Sequence, residues 1–324
     1  IISIFGCLAQ LVRALRSHRR GQRSESSNNH KLYTKTKMPK SNLLTVVIVT
    51  YNSNKTILNL LSSLKYINES IKEIIVIDNN SLIFNKNKIK QVSKKISIIQ
   101  NKKNFGFAKA VNQGIKKSKT NFILLINPDT YLIDKSLVKT FDVIKNNPKI
   151  GAIGGKIFDK NKNRKYTATN NPTFLTGLFE FTNLKKLFPN NYFSKAFWAE
   201  NEKISRPTNI VSLCGAYIIL RKKINNKLNL FDEKYFLYME DIDFGISINK
   251  SGYKVVFDPK SQIIHIGGVS SQNKYHTDLK NWYKSRKIFF KKHLNPIQSI
   301  ILISIFNLEE KILKIRQYIH HDSK

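Results

Sequence analysis

Four short apolar runs in the first half of the chain leave little choice of fold. They are "LLTVVIVTYN" (43–52), "IKEIIVIDNNS" (71–81), "ISIIQNKKNFG" (96–106) and "FILLIN" (122–127). All are rich in β-branched residues, and none alternates apolar with polar. A strand with one face in water would alternate, so these runs read as strands buried on both faces. Between them, "SNKTILNLLSSLKYI" (53–67) and "FAKAVNQGIKKS" (107–118) have helical spacing, with Ser53 as the N-cap of the first. Continuous strands separated by helices predict an α/β fold, a mostly parallel sheet with helices on both faces. In such sheets ligands bind beyond the carboxyl ends of the strands.

The polar residues collect at those ends. The four runs finish at Thr50-Tyr51-Asn52, Asp78-Asn79-Asn80-Ser81, Asn104-Phe105-Gly106 and Asn127-Pro128-Asp129. One such end is an ordinary turn; four in succession predict one ligand crevice. In "FILLINPDT" (122–130) a proline stops the strand and fixes the backbone just before a carboxylate. Neither GxGxxG nor GxxxxGK[ST] is present, which argues against dinucleotide and P-loop sites.

The second half is less regular. "GAIGGKIFD" (151–159) and "NIVSLCGAYIILRK" (209–222) read as strands around an aromatic-rich middle, residues 160–208. Glu240 to Lys250 reads as a helix closed near Gly252. Residues 253–258 and 261–266 read as two short strands, and the chain after 275 as basic helix. "IQSIILISIF" (297–306) is too short to span a bilayer and reads as core packing in preference to a membrane-surface contact.

The 324 residues carry a net charge of +35. Lysine, asparagine and isoleucine dominate, the lysines are scattered, and no nucleic-acid motif is present, so nucleic acid is not the expected partner. An anionic membrane surface or a phosphorylated substrate fits the charge better. Cys7 and Cys214 form no CxxC, so neither a disulfide framework nor a zinc site is expected. Five of the ten arginines lie in residues 13–23, a sharp break in composition. Residues 1–37 therefore read as a non-native, disordered extension ahead of Met38. A secretory signal would place its basic residues before its apolar ones, the reverse of the order here. The remainder, with 48 Lys/Arg against 20 Asp/Glu, still carries +28.

Taken in order, "VVIVTYNS", "VIDNNS", "NFGFAKAVNQG", "LLINPDT", "CGAYIILRK" and "YMEDIDFGISINKSGYKVVFDP…IIHIGG" resemble glycosyltransferase family 2, in its bacterial rhamnosyltransferase-like branch. The resemblance covers about residues 43–270. It implies a Rossmann-like GT-A fold over 38–270 with a basic helical extension over 271–324. It also implies a nucleotide-diphospho-sugar donor, a divalent metal (Mg²⁺ or Mn²⁺) and inversion at the anomeric carbon. The acceptor would be a saccharide or lipid-linked saccharide of cell-surface polysaccharide synthesis, at the cytoplasmic face of the membrane.

Carried over residue by residue, the resemblance makes Asp78 the nucleobase acceptor, against a plain Asx turn. Thr50, Tyr51 and Asn52 would line the same donor pocket with Asn104, while Lys109 and Asn112, on the helix after the third strand, either reach the donor or face solvent. Asp129 matches the last carboxylate of the family's Asp-x-Asp metal motif, with Asn127 in place of the first aspartate. His265 matches a histidine that completes the metal site in some members. In Glu240-Asp241, Asp241 is the candidate general base and Glu240 the fallback; Asp243 supports the helix or the site. Gly215-Ala216 would leave room for the acceptor. The competing readings are a nucleotidyltransferase and a non-enzymatic basic binding protein.

Overall fold

A computed structural model of the protein describes residues 43–199, 204–267 and 275–321. The expectations for residues 1–37 lie outside this range. The first half alternates strictly: β1 (Leu44–Thr50), α1 (Asn54–Ser63), β2 (Ile71–Asp78), α2 (Lys86–Val92), β3 (Ile96–Gln100), α3 (Phe107–Lys117) and β4 (Phe122–Ile126). Then come β5 (Thr130–Leu132), α4 (Ser136–Asn146), β6 (Ile150–Phe158), β7 (Arg164–Lys165) and β8 (Ala168–Thr169). The aromatic-rich middle forms α5 (Phe174–Phe181), α6 (Leu184–Leu187) and α7 (Tyr192–Phe197). It is followed by β9 (Thr208–Ile210), β10 (Ser212–Leu213), β11 (Tyr217–Arg221) and the hairpin β12 (Lys223–Ile224) and β13 (Lys227–Leu228). The chain ends in α8 (Glu240–Lys250), β14 (Lys254–His265), α9 (Tyr275–His293) and α10 (Pro296–His321).

The main sheet runs β3-β2-β1-β4-β11-β6-β14-β5, with β7 added to β6 and β9 to β14. Pairing is parallel from β3 to β4 and between β6 and β14; β11 is antiparallel to both its neighbours. Every residue of β1 is buried, as its unbroken apolar run requires. Alternate residues feed two cores. Val46, Ile48, Val76, Leu124 and Ile126 pack on one face with Ile57 and Leu60 of α1 and Phe141 of α4. Val47, Ile75, Ile77, Ile123 and Leu125 pack on the other with Val111 and Ile115 of α3 and Phe244 of α8. A third cluster joins Phe181 and Phe197 to Phe289, Phe290, Leu302 and Phe306 of α9 and α10.

Three local expectations change. Ser53 does sit at the N-cap of α1, but its hydroxyl does not cap it; it donates to the Tyr51 carbonyl at 3.2 Å instead. The helix it opens turns into a tighter 3₁₀ segment over Leu64–Ser70. The two strands expected at 253–258 and 261–266 are one, β14, whose register on β6 slips between Asp258 and Gln262. The stretch 297–306 is half core and half surface: Leu302 and Phe306 are buried while Ile297, Ile300 and Ile301 are exposed.

Candidate active site

The end of β4 shows how the sequence places a carboxylate. Asn127-Pro128-Asp129-Thr130 is a β-turn closed by the Thr130 N–H to the Asn127 carbonyl at 3.2 Å. Proline at its second position holds the φ that such a turn needs. The Thr130 hydroxyl adds a second bond to the same carbonyl at 2.6 Å. The turn reverses the chain into β5, which pairs with β14 so that Thr130 stands opposite His265. The Ile266 N–H then donates to the Asp129 carbonyl at 2.9 Å. This register brings His265 Nε2 to 3.0 Å from Asp129 Oδ1. The two residues lie 136 apart in sequence and are joined by sheet pairing alone.

Glu240 and Asp241 open α8 after an unusual turn. Tyr238 and Met239 both have positive φ (73° and 67°). Each such non-glycine residue costs about 1–3 kcal/mol and needs outside support. The support is visible: the Phe107 N–H donates to the Phe236 carbonyl at 2.7 Å, the Ser285 hydroxyl to the Leu237 carbonyl at 2.7 Å, and the Tyr238 ring meets Trp282 edge-on. The strained turn delivers both carboxylates to the mouth of a helix, where the dipole favours negative charge. Asp241 Oδ2 accepts the Gly215 N–H at 3.0 Å and Oδ1 accepts the Ile242 N–H at 2.9 Å. Glu240 is buried, and its Oε2 has no partner among the described residues. Burial pushes Glu240 up to about 8, with the Asp241 charge adding to the effect. Burial also raises Asp241, but the Gly215 and Ile242 N–H groups stabilise its anion. Of the pair, Asp241 is built to carry the charge.

Both groups line one cavity of about 880 Å³. Tyr51, Asn104, Asn127, Gly215 and Ala216 line it too, as does Asn79, which the sequence analysis did not single out. Gly215 faces Asp241, and a Cβ there would come within 3.3 Å of Phe107. The Ala216 carbonyl takes the Asn127 N–H at 3.1 Å, tying the two walls together. Asn79 is the hub of the donor-side loops. Its carboxamide reaches Asn104 at 2.7 Å, Asn101 at 3.1 Å, and the backbone of Phe105 and Gly106. Gly106 (φ 84°) has the Phe236 backbone where a side chain would begin, so no other residue fits.

Other expected donor residues stand outside the lining. Asp78 makes the Asx turn: its Oδ1 accepts the Ser81 N–H at 3.2 Å. Thr50 is buried beside it in the β1–β2 register. Asn52 adopts φ 55° and locks the neighbouring loop, accepting from the Leu82 N–H at 2.8 Å. Lys109 is exposed on α3, its ammonium 4.9 Å from the Phe105 ring centre. Asn112 is corrected outright. It is neither solvent-facing nor near the cavity: buried, it bonds both the N–H and the carbonyl of Phe231 at 2.9 Å and Glu233 at 3.0 Å. Its amide is spent on holding the 231–233 loop against α3. Asp243 likewise is structural, gripped by Lys292 at 2.9 Å and His293 at 2.7 Å from α9.

A family model described as glycosyl transferase family 2 matches residues 45–228, more than half of the chain. An N-acetylglucosaminyl-diphospho-decaprenol L-rhamnosyltransferase of Mycobacterium tuberculosis is 26% identical over 261 residues, covering 77% of this chain and 84% of that protein. A poly-β-1,6-N-acetyl-D-glucosamine synthase of Staphylococcus aureus is 30% identical over 125 residues, 37% of this chain and 29% of that one. Among solved structures, GalNAc-T7 with UDP, GalNAc and Mn²⁺ superposes with a TM-score of 0.55 at 17% identity, covering 74% of this chain and 46% of that chain. The architecture is that of the GT-A glycosyltransferases. With this fold and this family match, the chain belongs to glycosyltransferase family 2 and is a glycosyltransferase that takes its sugar from a nucleotide-sugar.

Proposed function

We propose that the protein transfers a deoxyhexose, rhamnose by preference, from a nucleotide-diphospho-sugar to a lipid-linked saccharide, with inversion. The observation that carries this is the shared cavity of the Asp129–His265 pair and the backbone-held Asp241. An inverting transfer needs two things at once. The leaving diphosphate must have its charge neutralised on one side of the anomeric carbon. The attacking hydroxyl must lose its proton on the other. Asp241 is placed to take that proton. The base of the nucleotide belongs with Tyr51, Asn79 and Asn104, with Asp78, next to Asn79 at the end of β2, as the acceptor for its ring N–H. The rhamnosyltransferase similarity over most of the chain favours the sugar and the lipid-diphosphate acceptor.

A divalent cation fits the residues present. Among the described residues no three His, Cys, Asp or Glu gather as a complete metal site. One carboxylate and one imidazole are what a cation shared with a diphosphate needs from the protein. Asp129 and His265 would hold it, and when bound it would supply charge neutralisation for the leaving group. The imidazole favours Mn²⁺ over Mg²⁺. The test is calorimetry with uridine- and thymidine-diphospho-sugars, with and without Mn²⁺. Metal-dependent binding of at least one donor is expected; the absence of any nucleotide-sugar binding would sink the reading.

The lipid-linked acceptor implies a membrane surface. No helix among the described residues is long and apolar enough to cross one. However, α10 exposes Ile297, Ile300, Ile301, Leu308, Ile312 and Ile315 at helical spacing, in a chain of strong positive charge. An amphipathic face of this kind lies in an anionic interface. Co-sedimentation with phosphatidylglycerol vesicles but not with phosphatidylcholine vesicles is expected, weakened in the Ile300→Asp, Leu308→Asp double variant. Equal recovery with both lipids would refute this part.

A further inference from the structure

Among the described residues, four buried side-chain nitrogen or oxygen atoms lack a hydrogen-bond partner: Thr169 Oγ1, Glu180 Oε2, Glu240 Oε2 and Arg286 Nε. The first three belong to residues lining the one cavity. A buried group left unpaired is costly, more so when charged, and calls for a ligand or another partner to offset it. Glu240 belongs to the catalytic pair. Thr169 and Glu180 have no part in the reaction as derived so far.

Their placement is built. Glu180 is about nine-tenths buried. Its Oε1 is taken by the Lys185 ammonium and by the Trp198 indole N–H at 3.2 Å, so the carboxylate cannot turn to satisfy Oε2 internally. The helix that carries it is clamped from behind. At Gly177 a Cβ would lie 2.5 Å from Leu302, so α5 sits directly on the carboxyl-terminal helices. Arg286 of α9 donates to the Phe181 carbonyl, the last residue of α5. Thr169 links this wall to the backbone of Asp241. It stands opposite Ser212 in the β8–β10 pair and is bridged on its other side to Trp198. The Ser212 hydroxyl in turn donates to the Asp241 carbonyl at 2.8 Å. The path from the base to Glu180 therefore runs through Ser212, Thr169 and Trp198. The ring of Tyr166 lies 5.9 Å from Trp198, inclined at 30°, and Trp282 also lines the cavity.

We propose that Glu180 and Thr169, walled by Trp198, Tyr166 and Trp282, form the subsite for the acceptor's sugar, and that this sugar is neutral. The proposal rests on the transferase reading above and deepens it. Oε2 needs a donor, and a sugar hydroxyl or an acetamido N–H supplies one. Aromatic faces accept the apolar face of a pyranose. An anionic sugar would find Asp241 as the charged group there and be repelled, because Glu240 holds its proton at neutral pH and the Lys185 ammonium is already paired with Glu180. Because the subsite is continuous with Asp241, a sugar held there presents its hydroxyl to the base.

The experiment uses the full chain, its best-binding nucleotide-sugar, and N-acetylglucosaminyl diphosphate on a shortened lipid as acceptor. Glu180→Gln should raise the acceptor KM about 10- to 100-fold, the loss expected when a bond to a charged group goes. Donor KM and metal response should not move. Thr169→Val keeps strand propensity and shape, and should raise acceptor KM about 3- to 10-fold. Binding of methyl N-acetylglucosaminide, followed by saturation-transfer NMR, should weaken in parallel. Unchanged acceptor KM in both variants, or a donor KM that moves equally, overturns the proposal. If Glu180→Gln does not fold, Thr169→Val decides alone. A wild type that binds no nucleotide-sugar overturns the transferase reading and this proposal together. A wild type that transfers normally while the variants keep acceptor KM overturns this proposal only.

Discussion

The two halves of the cavity are built by different physics. On the side proposed for the donor, polar groups sit at the ends of parallel strands and, apart from the His265 contact that sheet pairing brings to Asp129, bonds within the adjoining turns and loops hold them. The Asn127-Pro128-Asp129-Thr130 turn is closed by its own backbone, and Asn79 bonds its loop partners within 27 residues along the chain. On the acceptor side, the groups are placed by packing across long separations. Arg286 reaches Phe181 over 105 residues, Ser285 reaches Leu237 over 48, and Asp243 is gripped by α9. Under the proposed function, local hydrogen bonding fixes the groups that meet the nucleotide diphosphate. On that reading, substitutions in the long-range aromatic packing should therefore change acceptor use and leave donor use unchanged.

The sharpest way to break this division is at the base. Asp241→Asn keeps size and one of the two backbone contacts, to Gly215 or Ile242, but removes the proton acceptor. Single-turnover transfer with saturating donor and acceptor should fall roughly 10²–10⁴-fold, the usual range for acid–base catalysis. Nucleotide-sugar affinity should stay nearly intact. Near wild-type transfer, with Glu240→Gln dead instead, would move the base to Glu240.

Next in size, Asp129→Ala should abolish the Mn²⁺ dependence of nucleotide-diphosphate binding and most of the transfer. His265→Ala should act in the same direction but less, since a carboxylate with diphosphate oxygens can still hold a cation. Calorimetric titrations with and without metal separate the two. An Asp129→Ala protein with unchanged metal response would place the cation elsewhere.

These predictions follow the line between what could and could not be read from sequence. The strands, the crevice at their ends, Asp129 and the Glu240-Asp241 pair were legible because each is a local signal: a β-branched run, a strand followed by Asn-Pro-Asp, an acidic pair at a helix start. The Asp129–His265 contact came from the family resemblance, since periodicity cannot give the register of β5 on β14. Asn112 was misread because α3 spacing alone does not say which face a second loop will cover. Glu180, Thr169 and Trp198 left no motif at all. Their meaning depends on α9 and α10, more than 70 residues away, packing behind them.

Asn112 tests that lesson on stability instead of activity. Asn112→Ala strands the buried N–H and carbonyl of Phe231, at a cost of about 2–4 kcal/mol. Thermal unfolding should show the loss, while donor KM in the folded fraction stays put. A stable Asn112→Ala protein with weakened donor binding would return this residue to the donor site.

The smallest effect should appear in Glu240, and its sign can be worked out. Burial first, and the Asp241 charge second, push Glu240 from its ordinary 4.5 up to about 8. The folded state thus binds this proton more tightly than the unfolded chain does. Its contribution is fully present below about pH 4.5 and is lost as pH rises through about 8. Wild-type thermal stability should therefore decline across that window, on top of whatever other groups contribute. Glu240→Gln carries a permanent neutral side chain of the same shape, so its decline should be flatter by several degrees, with little change at the acid end. Asp241→Asn removes only the second cause. It should flatten the curve partly and leave the share that burial imposes. The three melting curves, measured from pH 5 to 9, give the order wild type, Asp241→Asn, Glu240→Gln from steepest to flattest. Parallel curves would mean that Glu240 is ionised in the folded protein throughout. It would then compete with Asp241 for the acceptor's proton, and the division of labour between the two carboxylates would fall.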